Sequence, residues 1–548
     1  MAIQREYDKR QAVIIIHGMG EQRPMGTLRD FLKGTHDEDQ QFFSRPYKRG
    51  TTTGNQNYDL RRFSTSERSA SGDEPARLKT DFYELYWAHF LGTGNRRDTI
   101  KWVWENMRRR PFWKHGPQVK LTMMLLQLIA PLALILWLAL TVLSGATIIR
   151  GMGDLSPGTL MLVNLPWAIV TVGLAFVLIR YGPRLLNTIN EVVADPPRYF
   201  VPHPRHIRAR NEIRDAGICL LHQLHDAGFY ERVVVVGHSL GSVVGLDILR
   251  LTWDEYRHPA PESTEPDHLA RSFDSKVLDY STAPTTDHVL EFQKIQHALW
   301  QESRARGVKW LVTDFITLGS PLAHADWLMF DDDPALQADS FSQREYPACP
   351  PDIGRGIFYP GEYTSGNKNT LVAHHAALFS VTRWSNAYFP VQGLYGDPVG
   401  GDVAPIFGTG VRDVRVRIHS LETHVPSERL GIAHTKYWNR YLDPYWDWEN
   451  EGEDISDARK ELDQRSRTRV AHLALQEFLD LDFQFRVTQK LDPPGCFISG
   501  PGYAADTLAD AYLPEIPAEN IISLDTRSVF EKDTDGDKAV AEVSAPLV

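Results

Sequence analysis

The sequence predicts an α/β fold: a mostly parallel central sheet flanked by helices, interrupted by an inserted two-helix transmembrane hairpin. Three observations predict it. Residues 12–16 (AVIII) and 233–236 (VVVV) are unbroken apolar, β-branched runs, as expected of strands buried on both faces of a parallel sheet. The second run passes at once into Gly237-His238-Ser239-Leu240-Gly241. Val243, Val244, Asp247 and Ile248 then follow at helical spacing, so a strand turns directly into a helix. Finally, residues 121–149 and 160–179 carry no charged side chain, and each reaches the roughly 20 residues needed to cross a hydrocarbon core.

The chain has 548 residues, 42% hydrophobic and 24% charged, which suits one large globular unit carrying insertions. Its net charge of −11 gives nucleic acid no electrostatic footing. Cys219, Cys349 and Cys496 are far apart and odd in number, so they build neither a disulfide framework nor a metal cluster. That usage fits a reducing compartment. Residues 1–11 hold no apolar signal region, and no internal repeat is present.

A serine between two glycines at a strand-to-helix turn has a steric logic. The turn must lift the Ser239 hydroxyl above the sheet, and Gly237 and Gly241 leave room for the chain to turn so tightly. The string GHSLGS resembles the nucleophile elbow of the α/β-hydrolase superfamily, within it the lipase- and esterase-like serine hydrolases. The resemblance implies an α/β-hydrolase fold and partners in the order Ser, Asp or Glu, His. It also implies that histidines such as His17 and His238 brace the oxyanion loop and the elbow, where they are not metal ligands.

Taken in order, the strand at 12–16 ends in His17-Gly18-Met19, which resembles the oxyanion strand of that superfamily. The resemblance gives the backbone N–H groups of Met19 and Leu240 the role of oxyanion donors, with Gly18 as support of the loop. Residues 35–79 are polar and read as a surface insertion. Residues 82–88 read as a strand and 98–109 as a helix. The apolar pair at 121–149 and 160–179 follows, kinked at Pro131. Arg108, Arg109, Arg110, Lys114 and Lys120 precede it and Arg180, Arg184 and Arg198 follow it, while the turn between holds Arg150 and Asp154. The positive-inside rule then places both termini and the catalytic part on the cytoplasmic side.

Residues 212–227 read as a helix leading into the elbow strand, 250–287 as a polar excursion, 289–304 as a helix, and 310–318 as a strand. The turn Gly319-Ser320-Pro321-Leu322 resembles one found in many lipases. Residues 330–368 read as a further insertion whose Asp331, Asp332 and Asp333 form a solvated acidic loop. Residues 383–401 read as a strand and turn, and Asp397-Pro398-Val399 falls where the resemblance places the triad acid; Asp402 is its rival. Residues 411–418 alternate as a last strand, and His434, at the head of a helix, is the base, with His419 and His424 as rivals too close to that strand. Residues 457–479 read as an amphipathic outer helix, and DTDGD in the tail lacks the glycine of a calcium loop, since Lys538 stands there.

The sequence thus divides into 1–118, the first part of the hydrolase domain; 119–182, the hairpin; 183–445, the remainder with the triad and lid-like insertions; 446–524, a helical extension; and 525–548, a loose tail. The resemblance implies a Ser239–His434–Asp397 triad that needs no metal or organic cofactor. The hairpin makes membrane lipids the surroundings and the substrate. The alternatives are a membrane-tethered esterase or thioesterase for a soluble acyl compound, and an inactive membrane scaffold of the same fold.

Overall fold

The structure is a computed structural model. It describes residues 9–19, 23–35, 42–46, 61–69, 76–91, most of 101–142, 156, 199–200, 204–260, 263, 265–282, 288–352, 354, 356–360, 371–418, 429, 432–438 and 470–482. Two compact units divide the chain: Met1–Gly18, Gln22–Phe90 and Ile207–Val548 form the first, and Met19–Glu21 with Leu91–His206 the second.

An eight-stranded sheet in the order β2-β3-β4-β1-β5-β6-β9-β10 organises the first unit. Its strands are β1 (Arg10–Ile16), β2 (Phe43–Pro46), β3 (Arg61–Ser64), β4 (Lys79–Leu85), β5 (Tyr230–His238), β6 (Val312–Leu318), β9 (Arg383–Tyr388) and β10 (Arg412–Arg415). A separate two-stranded ribbon pairs β7 (Phe358–Pro360) with β8 (Leu371–Ala373). From β4 to β10 every pairing in the main sheet is parallel, and β2 and β3 add an antiparallel edge. The register sets Ile16 beside Gly237, His238 beside Leu318, Leu318 beside Ala387 and Tyr388 beside Arg415. The carboxyl ends of β1, β5, β6, β9 and β10 therefore open onto one edge, where open α/β sheets hold their ligands.

The helices are α1 (Gly26–Thr35), α2 (Pro117–Met124), α3 (Pro204–Asp226), α4 (Leu240–Tyr256), α5 (His268–Thr282), α6 (His288–Ala305), α7 (Pro334–Ser342) and α8 (Val470–Leu479). Alternation along the strands sends Val13, Ile15, Phe82, Val234, Val236, Ile316 and Leu318 to one face. There they form a common core with Leu28, Phe31 and Leu32 of α1 and Ala471, Ala474, Leu475 and Phe478 of α8. The other face takes α4, whose Gly245 lies against Phe315 and Ile16, and α3 packs outside it, with Gly217 against Ile248. The β-branched runs form these strands because helices cover both faces.

At the edge opposite the strand carboxyl ends, a buried ion network fastens α8. Arg232, wholly buried, donates to Asp314 Oδ2 (3.0 Å), Asp480 O (2.7 Å) and Leu479 O (2.9 Å). Arg383 pairs with the same Asp314 at 2.7 Å. A guanidinium on the last carbonyls of a helix also complements its dipole.

Several expectations need correction. Residues 35–79 supply β2 and β3, so a segment read as a surface insertion in part extends the main sheet. Both strands are four residues long and β2 is exposed throughout, so neither shows the apolar pattern of a core strand. The excursion at 250–287 is largely helical: α4 runs on to Tyr256 and α5 covers His268–Thr282. The insertion at 330–368 includes α7, whose N-cap is Asp333 of the acidic loop, with Oδ1 accepting from Ala335 N–H at 2.9 Å. His434 stands in a single 3₁₀ turn, Ala433–Thr435, where a helix head was expected.

The second unit contains a turn at Phe112–Lys114 and α2. Gln127 ties them: its Oε1 accepts from Phe112 N–H (2.7 Å) and its Nε2 donates to Arg110 O (2.9 Å). Trp104, Trp113, Leu128, Leu132, Leu134, Ile135, Leu138 and Val142 are exposed. Among the described residues no helix is long and apolar enough to cross a membrane. The expected span at 160–179 lies outside the described residues, as do His419, His424 and the tail.

Candidate active site

Ser239 closes β5 and caps α4 with φ 54° and ψ −131°, a left-handed conformation strained for a residue bearing a Cβ. The turn is held from both sides: Ser239 N–H donates to Leu318 O (2.9 Å) and Ser242 N–H donates to Ser239 O (2.9 Å). Ser242 Oγ–H also donates to Ser239 O at 2.6 Å, and Ser242 Oγ in turn accepts from Ser320 Oγ–H at 2.6 Å. The flanking glycines are demanded by close approach. A Cβ on Gly237 would lie 2.5 Å from Ser242 Cα, and one on Gly241 2.3 Å from Ile16 O. Leu240 is the first residue of α4, so its N–H has no intrahelical acceptor.

Gly18, at the end of β1, reaches the same point: a Cβ there would lie 2.7 Å from Ser239 Cβ. His17 fixes this loop. Its ring stacks on Trp87 at 4.8 Å, and its Nε2 accepts from Trp87 N–H at 3.1 Å. Nδ1 therefore carries the proton and donates to Gly18 O at 2.8 Å. Burial lowers the His17 pKa to about 4, so the ring is a neutral brace. Met19 follows directly and groups with the second unit.

Asp397 and His434 come together after β9 and β10. His434 Nδ1–H donates to Asp397 Oδ2 at 2.9 Å. Tyr437 Oη–H donates to the same Oδ2 at 2.6 Å, and Val399 N–H donates to Oδ1 at 2.9 Å. Desolvation opposes ionisation of the buried Asp397, yet its pKa is lowered, because the adjacent His434 and these donors outweigh the burial. An ionised acceptor keeps the His434 proton on Nδ1 and leaves the Nε2 lone pair for a base's work.

The rival acid is engaged elsewhere: Asp402 Oδ1 accepts from Tyr388 Oη–H at 2.6 Å, and Oδ2 lies 4.0 Å from Arg415. His238 anchors the His434 turn, with Nε2–H donating to His434 O at 2.7 Å and rings 4.9 Å apart. Burial lowers its pKa to about 3, again a neutral support. Ser239 is 1% exposed, and its Oγ has no hydrogen-bond partner among the described residues. The Asp–His half is thus assembled while the Ser–His hydrogen bond is open, as is common before substrate binds.

Sequence reasoning missed Tyr437, Ser242 and Ser320 as site residues. Tyr437 stands three positions after His434 in AHTKYW, but no spacing rule assigns a tyrosine there. Ser320 belonged to a turn that was noticed but given no part. No protein-family model, no curated protein and no solved structure matches this chain.

Proposed function

We propose that the chain is a serine hydrolase of the α/β-hydrolase kind that cleaves carboxylic esters of acyl lipids from a membrane-anchored position. One observation carries the reading. A strained Ser239 stands at a strand-to-helix turn on the edge of the sheet where an Asp397–His434 pair, remote in sequence, is also assembled. The order in which these residues leave the strands, Ser239 after β5, Asp397 after β9 and His434 after β10, supports it.

His434 Nε2 takes the Ser239 proton as Oγ attacks the acyl carbonyl. The oxyanion is received by backbone N–H groups, those of Leu240 and Met19 in this reading. The imidazolium, held by Asp397, gives its proton to the leaving alkoxide. Water, deprotonated by the same His434, then releases the acid and restores Ser239. None of these steps calls for a metal or organic cofactor.

The membrane part rests on the uncharged stretches at 121–149 and 160–179 and on the exposed Leu128, Leu132, Ile135 and Leu138. Basic residues on both flanks favour a hydrolase on the cytoplasmic side, facing anionic head groups. Anchoring raises the effective concentration of membrane-resident substrate and does nothing for a dilute soluble one.

The test has two parts. A fluorophosphonate probe should label the purified chain at Ser239, and Ser239→Ala should abolish both labelling and turnover; absence of labelling and turnover in the native protein would leave a scaffold. Residues 121–179 should then be replaced by a soluble linker. Lipid hydrolysis in vesicles should collapse while short-chain ester hydrolysis persists. Retention of both, or no lipid hydrolysis by the intact chain, points instead to a tethered esterase for a soluble acyl compound.

A further inference from the structure

We infer that Tyr437 is a positioning residue for the reaction, acting through Asp397 as a fourth member of the Ser239–His434–Asp397 set; the inference rests on the hydrolase reading above. Three features place it there. Tyr437 and His434 donate to one and the same oxygen, Asp397 Oδ2, at 2.6 and 2.9 Å. The phenol is fixed in turn by Phe389 N–H, which donates to Tyr437 Oη at 3.3 Å, and by ring packing on Phe389 at 4.6 Å. Space for the contact is reserved by two glycines. A Cβ on Gly319, where φ is 57°, would lie 2.7 Å from Asp397 Oδ2 and 3.0 Å from Tyr437 Oη, and one on Gly400 would lie 3.1 Å from that Oη.

Two donors on one carboxylate oxygen do different work. The imidazole needs Asp397 to hold its tautomer and to stabilise the imidazolium that forms as Ser239 reacts. The phenol cannot follow that proton. Burial and the neighbouring carboxylate push its own ionisation well above the usual range, so it remains a donor throughout. It therefore pins the carboxylate in the plane His434 uses and draws off part of the negative charge that the imidazolium would otherwise meet. Among the described residues, Tyr388 and His238 also lie against this cluster, with His17 beyond His238, and burial holds both histidines neutral.

The sign of the effect follows. Without the phenol O–H, Asp397 carries its charge undiluted and holds an imidazolium more firmly, so a protonated, inactive base survives to higher pH. Because the carboxylate is then no longer pinned in the plane His434 uses, Tyr437→Phe should lower kcat about 10-fold with little change in KM, the scale of one hydrogen bond to a charged group. The acid limb of its kcat/KM profile on a short-chain ester should move to higher pH. In an Asp397→Asn background the same change should cost less than about 2-fold, since residues acting through one another are not additive. Replacing Tyr437 by 3,5-difluorotyrosine keeps the ring and strengthens the donor, so the acid limb should move to lower pH.

An unmoved limb in both variants, or an equal loss in both backgrounds, overturns the inference and leaves Tyr437 a packing residue. If Tyr437→Phe fails to fold, the difluorotyrosine protein decides alone. Failure of the hydrolase reading would look different: the native chain would show neither turnover nor fluorophosphonate labelling at Ser239.

Discussion

Gly18→Ala adds one methyl group at the point where the β1 loop meets the elbow. Its Cβ would lie 2.7 Å from Ser239 Cβ, 3.1 Å from His238 Nδ1 and 3.3 Å from His238 O. Carbon atoms in contact prefer about 3.5–4.0 Å, so loop and elbow must part by about 0.8 Å or more. Neither side yields easily. The elbow is fastened at Leu318 O and Ser242, and the loop is fastened by His17 on Trp87. Displacement on the order of 1 Å at reacting groups costs about 10²-fold in rate, and overpacking a tight site costs about 1–3 kcal/mol of stability. We therefore expect kcat/KM for a short-chain ester, and the rate of fluorophosphonate labelling, to fall about 10²-fold while the protein still folds. Gly26→Ala is the control: its Cβ meets nothing nearer than Arg23 Cβ at 3.9 Å, and activity should be unchanged. Native kcat/KM in Gly18→Ala would refute the placement of the β1 loop over the nucleophile.

Three further outcomes are expected. His434→Ala should lose activity by about 10⁴-fold and Asp397→Asn somewhat less, whereas Asp402→Asn, whose carboxylate serves Tyr388 and Arg415, should keep it; steady-state kinetics with a folding check decides. His225 donates through Nδ1–H to Leu221 O and accepts from Leu311 N–H, and burial lowers its pKa to about 4. Below the unfolded value of about 6.5 the unfolded chain takes up a proton that the folded site refuses. Stability from this group is full above that value and is lost as pH falls towards about 4. The slope is about 1.4 kcal/mol per pH unit, and urea unfolding of His225→Gln across this window should show a shallower fall. Arg232→Met strips buried Asp314 of one partner and the end of α8 of its cation; a loss of about 3–5 kcal/mol and faster proteolysis near residues 479–482 are expected, and an unchanged unfolding midpoint would argue against the network.

Particular residues show why some of this architecture was legible in the chain. The runs at 12–16 and 233–236 are apolar on both faces because helices cover both faces of β1 and β5, so burial is written into adjacent positions. The elbow was legible because its mark is local: two glycines stand within two residues of Ser239, although only Gly237 answers a contact within the turn and Gly241 answers one with Ile16 of β1. β2 and β3 were not legible. An edge strand with little buried surface has no hydrophobic period, and its place depends on β4, whose pairing brings Phe63 to Phe82.

By itself the sequence determined the α/β class and the strand-to-helix turn at Ser239, since each is written in neighbours within a few positions; the order Ser, Asp, His was what the resemblance implied. Tertiary structure alone set Asp397 apart from Asp402, by its contact with His434. The two carboxylates are five residues apart in one turn-rich segment and carry the same chemistry, and only the fold brings one to His434 and the other to Tyr388. It likewise brought Tyr437 to Asp397, 40 positions away, and Gly18 to Ser239 across two neighbouring strands. Contacts of that span leave no periodicity in a single chain, because they are selected by where strands end in the sheet and not by what adjoins them in sequence.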